Sequence, residues 1–434
     1  MECFPLAVAL AAERACGDKT ATPAMYLDAL RRAGSKRAKG RGATGEYPEC
    51  FPDVVKLLLD TLLQSDQAHV ENAEQALRKL ALLDTEAIPL DLLGADERKA
   101  VLLLQEHSLV TVDDTGCAAM HAVTQQVMRD WLISKAQRPV LVATLAAVLA
   151  SKLGKFHSDK PATYFIGRRY ARHAGAVAAR AREWGVLPVS RLAGGVDGSA
   201  LNNIEDMCQR AGHFFEFVSV QPREALRMHE VALDSSVIRF GARHVIVAMC
   251  HSNIGNVYRS QGNFDEALVE HQKSLKIKIR ALGCKHQEVA TSYNNIGNVY
   301  AGQGNYQKAL LQYQKSLEIY IRVLGCDSAE VAMSYMNIGE VCRLQGDDHQ
   351  NALHQLQKSL EIRIRLYGED HPRVADSKYG MGRVYEDCNE MDLACELFLE
   401  CQRIYSKLYG PGHSKTVMAA EAAQEASRCG KESV

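Results

Sequence analysis

Apolar and polar positions in the second half of the chain recur in one pattern, about 42 residues apart. Three copies are sharp: SNIGNVYRSQGNFDEALVEHQKSLKIKIRALG from Ser252, NNIGNVYAGQGNYQKALLQYQKSLEIYIRVLG from Asn294 and MNIGEVCRLQGDDHQNALHQLQKSLEIRIRLYG from Met336. A weaker fourth copy, YGMGRVYEDCNEMDLACELFLECQRIYSKLYG, starts at Tyr379, and a degenerate first unit contains REALRMHEVALDSSVIRFGARH. Each copy holds two runs of helical period separated by a short turn. In the Asn294 copy this predicts helix A over about 288–302 and helix B over about 307–324. A repeat of fixed period predicts stacked helix pairs in a solenoid, with function expected on an extended surface.

Matched small residues support close packing of the two helices: Gly255 with Ala267, Gly297 with Ala309, Gly339 with Ala352, and Gly382 with Ala394. Ile296, Tyr300, Leu310 and Leu317 supply the apolar face of one copy. Gly304 sits where the end of helix A needs a positive φ. The extra residue in QGDDHQNAL lengthens one turn.

The first half is less regular. Helices are predicted over Leu6–Arg14 and Met25–Arg32, followed by the basic loop RRAGSKRAKGRG. From Phe51 to about Lys135 the order is helix, helix, helix, two short strands and helix. The strands are expected over Ser108–Val112 and Ala118–Val123, with Gly116 in the turn. Val140–Leu153 and Tyr170–Trp184 follow as helices. Gly185–Gly198 is rich in Gly, Pro and Ser and is expected as a linker. The expected boundaries are a helical segment over 1–32, a basic loop over 33–50, a three-helix domain closed by a hairpin over 51–135, and a helical linker over 136–200. About five repeats, the first degenerate, follow over 201–420, and a polar tail over 421–434.

The net charge of −1 gives no bulk attraction to nucleic acid or anionic membrane. Thirteen scattered cysteines without a CxxC pair fit a reducing compartment, and the start, MECFPLAVALAA, lacks the basic leader of a signal peptide. A cytoplasmic location is expected. No apolar run has the ~18 residues of a membrane span. His244, His286, His371 and His413 recur at one loop position, too far apart to share an ion, so no metal site is expected. Their expected role is to fix the turn between one helix B and the next helix A.

These repeats resemble the tetratricopeptide repeat, and the 42-residue period, the NNIG opening and endings such as LGCKHQEVA resemble its kinesin light chain subtype. The resemblance covers about Arg223 to Val417 and implies a right-handed α-solenoid whose helices A line a concave, partner-binding face. Residues three before, one after and four after the small glycine share one side of helix A. They are Ser252, Asn256 and Arg259; Asn294, Asn298 and Ala301; Met336, Glu340 and Arg343; and Tyr379, Arg383 and Glu386, with Asn253, Asn295 and Asn337 beside them. Asparagine can donate to and accept from a peptide backbone at once. The same residues could instead bridge neighbouring helices, and the sequence leaves both readings open.

A second resemblance lies upstream. CFPLAVALAA is similar to the GLPLA segment of NB-ARC modules, found in STAND-type signalling ATPases. ALRKLALLDTEAIPLDLL with LLQEHSLVTVDDTGCAAMHAVTQQVMRDWL is similar to their winged helix. Met120 and His121 match the start of the family's MHD motif, with Ala122 in place of its acidic third residue. The resemblance implies that Pro5 and His121 would contact a nucleotide. Yet no string reads GxxxxGK[ST], and GDKT at Gly17 and GKES at Gly430 lack the spacing. No cofactor is therefore expected, ADP being conceivable only beside an upstream P-loop; the chain reads as the later part of such a receptor, whether a short form or a truncated gene model.

The fold class expected is mainly α, a winged-helix module with a small β-hairpin followed by the repeat solenoid. The function expected is a non-catalytic protein–protein interaction scaffold, the partner-binding arm of a STAND-type signalling protein, taking a protein or extended peptide. Nucleic-acid and membrane partners are not expected. The alternatives are an ADP-binding switch when joined to a P-loop domain, and a kinesin light chain-like cargo adaptor.

Overall fold

A computed structural model describes residues 67–432 apart from 107–108, 121, 132, 134–136, 158–159, 187–197 and 347. Pro5, His121, the two N-terminal helices and the basic loop of the sequence reading lie outside these residues. The chain divides into two compact units, 1–239 and 240–434.

The first unit opens with α1 (Gln67–Leu80), β1 (Ile88–Pro89), α2 (Ala95–Glu106), β2 (Thr111–Val112), β3 (Cys117–Ala119) and α3 (Ala122–Trp131). The strands pair antiparallel in the order β1-β3-β2, with Ile88 opposite Ala118 and Thr111 opposite Ala119. The hairpin turn is closed by Asp113, whose Oδ1 accepts from the Thr115 and Cys117 amides, both at 2.9 Å. Strand β1 is too short to leave an alternating pattern in the sequence. The second expected strand stops at Ala119, and Ala122 and Val123 belong to α3. There Thr124, Gln125, Met128 and Arg129 are buried at helical spacing, and that burial overrides the β-propensity of Val123. Gln125 Nε2 donates to the carbonyls of Leu80 at 3.0 Å and Leu83 at 3.2 Å, and Arg129 donates to that of Ala81 at 2.8 Å. These bonds tie α3 to the carbonyls at and just beyond the end of α1.

Helices α4 (Arg138–Leu153), α5 (Tyr164–Glu183), α6 (Gly198–Phe217) and α7 (Pro222–Phe240) follow. Within the stretch expected as a helical linker, Leu145, Leu149 and Leu153 on α4 and Ala174, Val177 and Ala178 on α5 are fully buried. Two polar contacts pin the loop around β1 to these helices. His173 Nδ1 accepts from the Asp84 amide, and its Nε2 donates to the Ala87 carbonyl, both at 3.2 Å. Desolvation lowers the His173 pKa to about 4. Asp91 Oδ2 accepts from the Tyr170 hydroxyl at 2.6 Å and from Lys152 at 2.8 Å.

Among its described residues the second unit holds four helix pairs and a closing helix. The pairs are α8 (Val245–Ser260) with α9 (Phe264–Leu282), α10 (Gln287–Gly302) with α11 (Tyr306–Leu324), α12 (Ala329–Gln345) with α13 (His349–Tyr367), and α14 (Pro372–Asp387) with α15 (Met391–Tyr409). The N-cap of each helix A accepts an amide through its side chain: His244, His286 and His371 through Nδ1, Ser328 through Oγ; His413 does the same for α16 (Ser414–Glu432). Accepting through Nδ1 requires a neutral ring, so these histidines act as local caps. Gly304 ends its helix at φ 74°, and Asn389 takes the same left-handed place in the fourth pair at φ 62°. Over 421–432 the expected polar tail is helix α16, because Ala419, Ala422, Ala423 and Ala426 bury one face of it against the last pair, Phe398 and Cys401 among its contacts.

One contact recurs in every pair. The glycine of helix A lies flat against a large side chain of helix B: Gly255 on His271, Gly297 on Tyr313, Gly339 on Leu356 and Gly382 on Phe398. A Cβ on Gly297 would lie 2.6 Å from the Tyr313 ring. His271 is fully buried with neither ring nitrogen hydrogen-bonded. Burial, aided by the charges of Arg259 and Lys278, lowers its pKa to about 4.

Gly297→Ala is expected to destabilise the repeats by about 1–3 kcal/mol through overpacking, read as a lower denaturation midpoint. The neutral His271 makes a second prediction. The unfolded chain takes up its proton below about pH 6.5, whereas the folded chain resists protonation down to about 4. Stabilisation from this group is therefore complete above pH 6.5 and is lost as pH falls through that window. His271→Leu, which installs the residue type of the third pair, should flatten the melting temperature against pH between 4 and 6.5 relative to the parent. A parallel curve would discard this role.

Candidate partner-binding face

Helices A stand side by side through side-chain amides. Asn295 Nδ2 donates to Ser252 Oγ at 3.2 Å, tying α10 to α8. One repeat later Asn337 Nδ2 donates to Asn294 Oδ1 at 2.9 Å, tying α12 to α10. The rule is regular: the residue two before the glycine reaches back to the residue three before it in the preceding repeat. Ser252 and Asn294 are accordingly buried, at 8% and 4% exposure. At the next seam Gly380 and Met336 occupy the two positions, and the rung is missing. Arg343 spans that seam, donating to Asp387 at 2.8 Å and through two nitrogens to Glu340.

The structure thus divides the residues expected on this face. Ser252, Asn294, Asn295 and Asn337 form the rungs. Met336 packs into the core of the third pair, and Tyr379 lies 5.1 Å from the ring of Phe398. Arg343, Glu340 and Asp387 neutralise one another, and hydrogen bonding to Glu340 raises the Arg343 pKa further. Arg383 is paired with Glu386 at 3.2 Å. Asn298 is half engaged, since its Oδ1 accepts from the buried Tyr313 hydroxyl at 2.7 Å while its Nδ2 makes no bond among the described residues. Asn253, Asn256 and Arg259 remain, grouped on α8 with side chains that make no hydrogen bond or ion pair among the described residues. Arg259 is exposed. The free donors, acceptors and positive charge of this face therefore gather on the first pair and on Asn298, and small Ala301 leaves the surface open beside them.

Tyr313 is absent from the residues expected on the face, yet it holds Asn298 in position. Its signal in the sequence is a hydroxylated ring at the helix B position where the sibling repeats carry His271, Leu356 and Phe398. Desolvation pushes its pKa up, so the hydroxyl stays protonated as the donor.

Asn294→Ala is expected to cost about 1 kcal/mol by removing a buried rung. Asn253→Ala should stay within about 0.5 kcal/mol of the parent. Chemical denaturation of the two variants separates rung from free side chain, and equal losses would contradict the division.

Among the described residues, no helix is long and apolar enough to cross a membrane. Residues 246–322, 288–348 and 330–389 match the tetratricopeptide repeat family model. No curated protein sequence matches the chain significantly. Among solved structures, BtubC (BKLC) from P. vanneervenii is 21% identical with a TM-score of 0.45, over 55% of this chain and 92% of that one. A STAND protein with a tetratricopeptide repeat sensor from Pyrococcus horikoshii is 15% identical with a TM-score of 0.38, over 99% of this chain and 65% of its own. RapI in its apo form is 16% identical with a TM-score of 0.41, over 66% of this chain and 75% of its own.

Proposed function

We propose that this chain, whose residues 246–389 are tetratricopeptide repeats, is a non-catalytic scaffold that holds a protein or extended peptide across helices α8 and α10. The observation that carries this reading is the cluster of unengaged Asn253, Asn256 and Arg259 beside the half-engaged Asn298, on helices whose spacing the amide rungs already fix. Such a surface can pair with a peptide backbone through the amides and with an acidic side chain through Arg259. Fixed spacing lowers the ordering cost that binding otherwise carries.

The finer reading is that the chain is the partner-binding arm of a STAND-type signalling protein. Support comes from the segments similar to NB-ARC modules and from the order of helices and short strands in α1 to α3, where Met120 of the MHD-like string is buried. The cysteines among the described residues are free thiols, which supports a cytoplasmic location.

Peptides selected from a random display library against the full chain test the scaffold reading. Asn256→Ala combined with Arg259→Ala should weaken the recovered peptides about tenfold or more, since hydrogen bonds to charged groups are each worth ~1.5–3 kcal/mol. The circular dichroism and melting temperature should stay at parental values. Undiminished affinity in the double variant would remove the face from consideration. Asn298 is unsuited to this test, because its loss strands the buried Tyr313 hydroxyl.

A further inference from the structure

The loop entering each helix A carries a charged position that faces the end of the following helix B. In the fourth pair this position is Asp370, whose carboxylate accepts from Lys407 at 2.7 Å and from Arg403 at 3.0 Å. In the third pair Asp327 takes the same place and is bonded by Arg365. In the second pair the loop residue is Lys285, and the cation of helix B, Arg322, turns to Glu318 at 3.0 Å. Glu318 stands at the register position of Arg403. Each of these three trios contains a carboxylate.

The first pair has none. Its three register positions are Arg243, Lys276 and Arg280. All three are exposed, and none forms an ion pair or hydrogen bond among the described residues. Lys285, in the next loop, is also exposed and forms no ion pair or hydrogen bond among the described residues. The three register positions that pair the Asp370 carboxylate in the fourth pair are therefore filled in the first by cations only.

We infer that Arg243, Lys276 and Arg280 form a docking site for an acidic segment of a protein partner, whose Asp or Glu carboxylate takes the place filled by Asp370 and Asp327 in the sibling repeats. The sibling geometry shows what the site accepts: one carboxylate clasped by two cations from helix B. A guanidinium at two of the three corners suits two-pronged recognition of a carboxylate. A single-stranded nucleic acid would want a free ring on which bases stack. Phe240, the ring that leads into this loop, is already stacked on His244 with centroids 4.4 Å apart. The site lies at the entry to α8, apart from the amides along its length, and does not depend on the face described above.

Fluorescence anisotropy on the full chain tests it with three labelled probes: a short peptide of Asp and Glu, its Asn and Gln counterpart, and a single-stranded oligonucleotide. The acidic peptide should bind, the neutral one should not, and affinity should fall as salt rises. Arg243→Asp, which supplies the carboxylate found in the siblings, should weaken the acidic peptide about tenfold while the melting temperature holds or rises. Lys276→Gln and Arg280→Gln should each weaken it about threefold. In a chain that carries Asn256→Ala with Arg259→Ala, Arg243→Asp should still weaken the acidic peptide about tenfold, which separates failure here from failure of the face. Binding of the acidic peptide that survives Arg243→Asp, or that is lost only in the face variant, would overturn the assignment. So would an oligonucleotide that binds more tightly than the peptide and is lost in Arg243→Asp.

Discussion

The contact of a bare helix A backbone with a large side chain of helix B sets the distance between the two helices of each pair. Everything else in the repeat unit takes its measure from that distance. With Gly297 against Tyr313, the fully buried Ala309 can also lie in the interface, and the side chains above and below interdigitate. A larger residue at the glycine would push the pair apart and carry the next pair with it, since interiors close-packed to this degree do not deform smoothly. The facing side chain is not fixed in kind. A histidine, a tyrosine, a leucine and a phenylalanine fill the place in successive pairs. Volume is therefore what the position selects, and its chemistry is left free to differ. The first pair uses a neutral imidazole that acid can charge, and the second uses a hydroxyl that reaches through to hold Asn298.

Regularity in the backbone coexists with a graded surface. The helix A face runs from uncommitted polar groups on α8 to mutually neutralised charges on α12 and α14. The loop edge follows the same direction, from Arg243 and Arg280, unpaired among the described residues, to paired carboxylates at Asp327 and Asp370. Stacking needs only the apolar and small positions to agree, so the polar positions of each repeat can specialise without disturbing the fold. Both surfaces proposed to bind therefore lie at the same end of the second unit, where the repeats leave most of their polar capacity unused.

Much of this was legible in the sequence because the determinants are periodic. The 42-residue spacing, the glycine–alanine pairs and the Gly304 turn give the helices to within a residue or so at each end: 287–302 and 306–324 against the expected 288–302 and 307–324. The capping histidines followed from recurrence at one loop position. What the period hides is the partner of each polar side chain. Asn294, Asn295 and Asn298 look alike in the string, yet one is a buried acceptor, one a rung and one a support for the face, because their partners lie some 15 to 43 residues away. Elements without a period were read less well. β1 is two residues long, and α16 is built on alanines that mimic a polar tail until Phe398 is placed beneath them.

The absent rung at Gly380 has a mechanical meaning. The first two seams between helices A are closed by neutral amides, whose strength is indifferent to dissolved ions. The third is closed by Arg343 and Asp387, with the Asp387 carboxylate about a third exposed to solvent. Screening weakens an attraction between charges and leaves an amide bond nearly untouched. Of these three seams, the two beside the free asparagines are thus held by neutral groups, and the one between α12 and α14 by opposite charges.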